Sequence, residues 1–132
     1  MRAWVAVMVV SALPCLPALA AGDTSPANLL NEWRAEAGAG TQFSVERGRQ
    51  LFEPKRAHWS CSTCHTTDPR AAGKHATTGK PILALAPSAN PQRFTDRAKV
   101  DKWFRRNCRD VLGRACTPSE KGDLLTWLLS VR

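Results

Sequence analysis

The chain has 132 residues, 43% of them hydrophobic, with 19 Lys+Arg against 11 Asp+Glu and a net charge of +8. That length sets a limit of one domain with one modest core. The basic residues run from Arg34 to Lys121 without forming a long block, so they read as a soluble basic surface or as steering toward an acidic partner. With no nucleic-acid motif in view, nucleic acid is not an expected partner.

Residues 1–20 read as a secretory signal peptide. Arg2 supplies the positive start, Ala3 to Leu16 is apolar, and Ala18-Leu19-Ala20 is a small-x-small cleavage site. A membrane anchor is the competing reading, but the apolar run is short and broken by Pro14 and Pro17. Cys15 follows Pro14 where a lipoprotein signal wants a small residue, so it is expected to leave with the signal. No later apolar run is long enough to span a bilayer. The mature product is expected in the periplasm, with residues 21–42 as an N-terminal helix and linker and residues 43–132 as the main domain.

Ser25-Pro26 opens a first helix, with Ser25 as cap and Pro26 at its first position. Leu30, Trp33 and Ala37 repeat along it, and Gly38 and Gly40 end it. Ser44 caps a second helix that places Val45, Gly48, Leu51 and Phe52 on one face and stops at Pro54. A mid-helix glycine costs about 1 kcal/mol relative to alanine. Gly48 therefore marks either a close helix crossing or a tolerated glycine on a solvated face.

Cys61-Ser62-Thr63-Cys64-His65 follows. C-x-x-C-H is an attachment motif for a c-type haem: the two thiols form thioethers and the adjacent imidazole becomes the proximal iron ligand. A thioredoxin-like pair wants a βαβ context, and a zinc site wants a second ligand pair at finger spacing. Neither pattern is present. From Thr66 to Asn90 there is no sustained period, and Gly and Pro recur. This is too long for a bare connector and reads as a loop over the face of a cofactor, with Ile82, Leu83 and Leu85 as apolar cover.

Thr95 is the expected cap of a third helix. Val100, Trp103, Phe104 and Asn107 fall at i, i+3, i+4 and i+7, one buried face that turns Asn107 inward. Cys108 and Cys116 remain once Cys15, Cys61 and Cys64 are assigned. In an oxidising compartment they are expected to form a disulfide, with two free buried thiols as the alternative. Thr117-Pro118-Ser119-Glu120 is a capping box that starts a fourth helix with Leu124, Trp127, Leu128 and Val131 on one stripe. This helix is expected to dock on the second, at Gly48.

The sixth iron ligand is the open question. Both methionines, Met1 and Met8, lie in the signal, so a mature chain has no thioether to offer. His58 is too close before Cys61 to reach across a haem. His75 sits in a glycine-bounded loop and can reach the distal side, while Lys74 and Lys80 would first have to lose a proton. Asn107 is the remaining candidate, on an apolar face and next to Cys108; its plain reading is a helix cap.

Arg93-Phe94-Thr95-Asp96, Trp103, Arg106-Asn107-Cys108, Cys116-Thr117-Pro118 and Leu124-Leu125-Thr126-Trp127-Leu128 together resemble the sphaeroides haem protein family of exported monohaem class I cytochromes c. Thr78-Gly79-Lys80 and Leu85-Ala86-Pro87-Ser88 resemble its haem-covering loop. The resemblance implies an all-α class I cytochrome c fold, about four helices and long loops around one covalent haem c. It implies axial ligands on His65 and Asn107 beside a Cys108–Cys116 disulfide. It further implies that Asn107 leaves on reduction, that oxygen or nitric oxide then binds, and that a dihaem cytochrome c is an electron donor. An amide oxygen is a hard donor that suits ferric better than ferrous iron, which agrees with release. Around the site, the His65 ring N–H is expected to donate to a carbonyl, with Pro81 as candidate, and Arg93 and Trp103 to meet haem propionates. The plain alternatives are a turn proline and a surface charge. Three functions stay open: an electron-accepting gas binder, a simple electron carrier with a fixed sixth ligand, and a small peroxidase or oxygen or nitric oxide reductase.

Overall fold

Side-chain caps define where the chain turns helical. The computed structural model describes residues 22–56 and 58–132; the expected signal peptide lies outside the described residues. In chain order these form α1 (Pro26–Ala37), α2 (Val45–Phe52), α3 (Cys61–His65), β1 (Gly73–Lys74), β2 (Pro81–Ile82), α4 (Arg97–Leu112) and α5 (Pro118–Ser130). Ser25 accepts from the Asn28 N–H, Ser44 from the Arg47 N–H, and Thr117 and Glu120 form the reciprocal box that opens α5. For α4 the cap is Asp96, one residue later than expected. Its carboxylate accepts from the Lys99 N–H at 2.9 Å and suits the positive end of the helix, while the Thr95 hydroxyl donates back to the Gln92 carbonyl. Among the described residues no helix is long and apolar enough to cross a membrane.

The expected crossing of α2 and α5 is present, and Gly48 makes it possible. A Cβ at Gly48 would lie 2.1 Å from the Asp123 carbonyl oxygen, so any side chain would drive the two backbones apart. Phe52, Leu124, Trp127 and Leu128 pack beside it, with the Phe52 and Trp127 rings 4.7 Å apart. Val45, expected on this face, is 44% exposed instead, since at about 100° per residue it lies about 60° to one side of Gly48. The crossing is also locked by charge, which the sequence did not announce. Asp123 is buried and accepts from Arg47 Nε at 2.7 Å, Arg47 Nη2 at 2.8 Å and the Ser44 N–H at 2.7 Å. Three donors satisfy a carboxylate that would otherwise be costly to bury.

A second cluster, Leu29, Trp33, Val100 and Leu125, draws α1 and α4 onto the other side of α5. Residues 21–42 thus add a helix to the same core. On α4 the buried residues are Val100, Cys108 and Val111, with Phe104 set edge-on to Trp33 at 5.2 Å. Trp103, expected to be buried with them, is 43% exposed. At about 100° per residue it falls some 60° to one side of Val100, at the margin of the stripe. The Cys108–Cys116 disulfide is formed, with Cα atoms 5.6 Å apart, and ties the last turns of α4 to the start of α5.

Candidate functional site

The C-x-x-C-H stretch is itself helical. Ser60, buried, accepts from the Thr63 N–H at 3.1 Å, and Thr63 Oγ1 accepts from the Ser60 N–H at 3.0 Å. This capping box holds a single turn in which Cys61 and Cys64, three apart, share a side and His65 comes next. Ser60-x-x-Thr63 is the sequence signal that would have shown it.

Behind α3 lies the hairpin of β1 and β2, antiparallel with Gly73 opposite Ile82 and Lys74 opposite Pro81. Two-residue strands are too short to show an alternating pattern, so the 66–90 stretch read as loop alone. Gly73 is needed there: a Cβ would stand 2.0 Å from the Cys64 carbonyl oxygen. The Ala76 N–H reaches Cys64 Sγ at 3.4 Å. The hairpin therefore backs the turn that carries His65.

Burial sets the protonation of this turn. It pushes the Cys61 thiol up to about 11. It also pulls His65 down to about 4, with the Arg93 charge adding to the same effect. His65 is thus neutral at pH 7, the form whose ring nitrogen can ligate a metal. Its ring lies 6.5 Å from that of Phe52, and Leu85, Phe94 and Phe104 pack partly buried against the Phe52 cluster. Among the described residues no group of three or more His, Cys, Asp or Glu could hold a metal ion unaided. Two free thiols and a neutral imidazole within one turn, beside aromatic and aliphatic surface, fit a covalently attached haem.

Arg93 reaches into the covering segment. Its Nε donates to the Ala84 carbonyl at 2.8 Å and its Nη2 to the Leu83 carbonyl at 2.6 Å; Asn90 Nδ2 also donates to Ala84 at 3.3 Å. Partial burial lowers the pKa of Arg93, which still remains charged as an arginine does. The N–H groups of Leu85 and Ala86 both donate to the Pro69 carbonyl, at 2.8 and 2.9 Å. Segment 83–86 is thereby latched from both sides. Pro81 begins β2; among the described residues no hydrogen bond joins the His65 ring to its carbonyl. Trp103 is bracketed by cations, with Lys102 Nζ 5.1 Å and the Arg106 guanidinium 5.5 Å from its ring centre.

Asn107 sits within α4, well short of the capping Gly113, and so does not cap the helix. It is half-buried, and among the described residues its amide has no hydrogen-bond partner. The next residue, Cys108, is buried and bridged to Cys116. His75 lies in the β1–β2 turn, against the same helical turn as His65. Its Nδ1 accepts from the Thr78 and Thr77 N–H groups at 3.1 and 3.3 Å. Those two bonds occupy the Nδ1 lone pair. His58 is exposed beside the Arg56–Trp59 bridge.

Residues 38–128 match a family model described as a domain of unknown function, DUF1924. The chain is 52% identical over 126 residues to cytochrome c-type protein SHP of Cereibacter sphaeroides, covering 92% of this chain and 95% of that protein. It is 40% identical over 95 residues to cytochrome c'' of Methylophilus methylotrophus, covering 72% of this chain and 66% of that one. Among solved structures it is similar to oxidized SHP, described as an oxygen-binding cytochrome c. The TM-score is 0.74 at 52% identity, over 83% of this chain and 99% of the other. Oxidized cytochrome c'' is also similar, with a TM-score of 0.73 at 34% identity, over 81% of this chain and 94% of the other.

Proposed function

The chain belongs to the cytochrome c-type family of SHP and cytochrome c'', and on that premise we propose a periplasmic monohaem protein that accepts an electron and then binds a diatomic gas. The haem c it carries supplies one-electron chemistry and a coordination position for a small ligand. Cys61 and Cys64 hold it by thioethers, and His65 lends a neutral imidazole. Asn107 would hold the iron from α4 through its amide oxygen, a hard donor matched to ferric iron. With the weaker hold that an amide oxygen would have on ferrous iron, the Asn107 NH2 group would be free to donate a hydrogen bond to oxygen or nitric oxide. Arg93, desolvated and with Nη1 uncommitted, and Trp103 take the propionates; the Pro81 carbonyl orients the His65 ring once that ring ligates. A redox partner protein, by family a dihaem cytochrome c, delivers the electron.

One observation carries this reading. Asn107 is half-buried and unbonded on α4, held by the adjacent disulfide, in a chain whose methionines are confined to Met1 and Met8. The test is optical spectroscopy of the holoprotein, oxidised and reduced, with and without carbon monoxide. Carbon monoxide should bind the reduced form, and Asn107→Ala should turn the ferric form high-spin. A ferrous spectrum indifferent to carbon monoxide would restore the simple carrier. An unchanged ferric spectrum in N107A would return the role to His75.

A further inference from the structure

Cations that look scattered along the sequence collect on one surface of the folded chain. At about 100° per residue, Lys102, Arg105, Arg106 and Arg109 fall within an arc of about 100° on α4, roughly opposite the buried Val100. All four are exposed. The two aspartates within this part of the helix, Asp101 and Asp110, lie outside the arc on its flanks.

Clustering without pairing sets this face apart: Arg34, Lys55, Arg56, Lys74, Lys80 and Lys121 also make no salt bridge among the described residues, but they are spread over other elements. Elsewhere Arg47 is tied to Asp123, Arg49 to Glu46 and Glu53, Arg70 to Asp68, Arg97 to Glu32, Lys99 to Asp96 and Arg114 to Glu120. Among the described residues none of Lys102, Arg105, Arg106 and Arg109 makes a salt bridge. Arg56 and Arg114 join Arg109 around an open cleft at the end of α4, where Asp110 also lines the wall and Arg114 is tied to Glu120, so Arg56 is the unpaired cation it adds. Three of the four face residues are arginine, the cation favoured in protein interfaces for its planar donors and weak hydration. Asn107 lies on the far side of the same helix, about one helix diameter, or ~10 Å, from this face.

We propose that the outer face of α4 is the docking surface for an acidic electron-donor protein, an inference that rests on the reading that this chain accepts an electron. Unpaired cations without intervening acids select an acidic surface and speed encounter with it. In the docked pair one electron leaves the donor's reduced centre and takes the haem from ferric to ferrous. The donor is oxidised by one electron, and no bond is made or broken between the proteins.

The test uses the mature holoprotein and, as acidic donor, flavodoxin hydroquinone, which becomes the semiquinone as the haem is reduced. Stopped-flow rates at low salt should fall at least about tenfold in R105E/R106E. R34E/R132E, which changes net charge equally but lies elsewhere, should lose less than about twofold, and the wild-type rate should fall steeply with added salt. Retention of the ferric proteins on immobilised flavodoxin should follow the same order. Equal losses in the two double variants would overturn the proposal, because net charge alone would then explain the effect. So would loss of binding to phosphatidylglycerol vesicles in R105E/R106E with an unchanged flavodoxin rate, which would make the face a membrane surface. Dithionite separates the two levels of inference. Both variants should be reduced by it as fast as wild type. A wild-type haem that dithionite does not reduce would sink the electron-accepting reading, and this proposal with it.

Discussion

The α2–α5 crossing and α4 are held in the fold by different means. At the crossing two backbones meet at Gly48, Asp123 is held by Arg47 and the Ser44 N–H, and α5 is buried from Gly122 through Leu125 and again at Trp127 and Leu128. Among the described residues no helix approaches α4 as closely as α5 approaches α2. Its hold on the core comes from side chains, Val100 in the α1–α5 cluster, Phe104 against Trp33, buried Val111 and Arg97 paired with Glu32 of α1, together with the disulfide at its end. Interlocked backbones resist displacement, because any shift must move whole elements. A helix held by side chains and one covalent link can present a residue such as Asn107 without committing it to packing. The contrast teaches a division of labour: the proximal turn at His65 is mounted beside the rigid crossing, and the proposed releasable ligand rides on the more independent helix.

The largest test of this contrast is Gly48→Ala. The new Cβ would meet backbone atoms of Asp123, and overpacking of this kind costs roughly 2–3 kcal/mol. Thermal unfolding should show it; a loss no larger than that of an ordinary helix alanine would deny that the crossing is rigid. Removing the disulfide with Cys108→Ser and Cys116→Ser should cost about 2–3 kcal/mol by loop-closure entropy, given the separation of 8 residues. That variant should also broaden or shift the ferric spectrum, whereas G48A should not, if the bridge positions Asn107. Arg47→Met comes next. Asp123 keeps the Ser44 N–H but loses both guanidinium bonds while staying buried, so the unfolding midpoint should fall about as far as in the disulfide variant.

The smallest expected effect is at Glu120, whose carboxyl is held down to about 2 first by the Arg114 guanidinium and further by the Thr117 backbone. A depressed carboxylate contributes stability above its unfolded value of about 4.5 and loses it as pH falls toward about 2. Glu120→Gln keeps the capping hydrogen bonds and should flatten acid unfolding across that window. At neutral pH the change should stay within about 1 kcal/mol, since the pair is largely exposed. A larger loss would mean that the start of α5 depends on surface charge more than on the crossing.

Much of the molecule was legible from short-range rules. Ser25, Ser44 and the Thr117–Glu120 box cap the helices they were expected to cap, because a cap involves residues three apart in the chain. Gly48 pointed to a crossing because a mid-helix glycine needs a reason. The C-x-x-C-H motif was legible for the same local cause, although its Ser60–Thr63 cap was not read, and so was the disulfide, by elimination among five cysteines in a chain expected to be exported. Less legible were features that depend on register or on partners far away. Trp103 fell outside the buried stripe because helical spacing ranks a face without saying how wide its contact is. The Arg47–Asp123 lock joins residues 76 apart, and no local pattern marks either one.

Residue chemistry and spacing alone thus pointed to the covalent haem, to helices at the capped segments and to methionines confined to positions 1 and 8. These follow from which atoms are present and from contacts within a turn or two. Tertiary structure decided which histidine backs the attachment turn, that Asn107 sits inside α4 rather than capping it, and that Lys102, Arg105, Arg106 and Arg109 share an unpaired face. Each of these depends on how a helix or hairpin is rotated against the core, and that rotation is fixed by packing summed over distant residues.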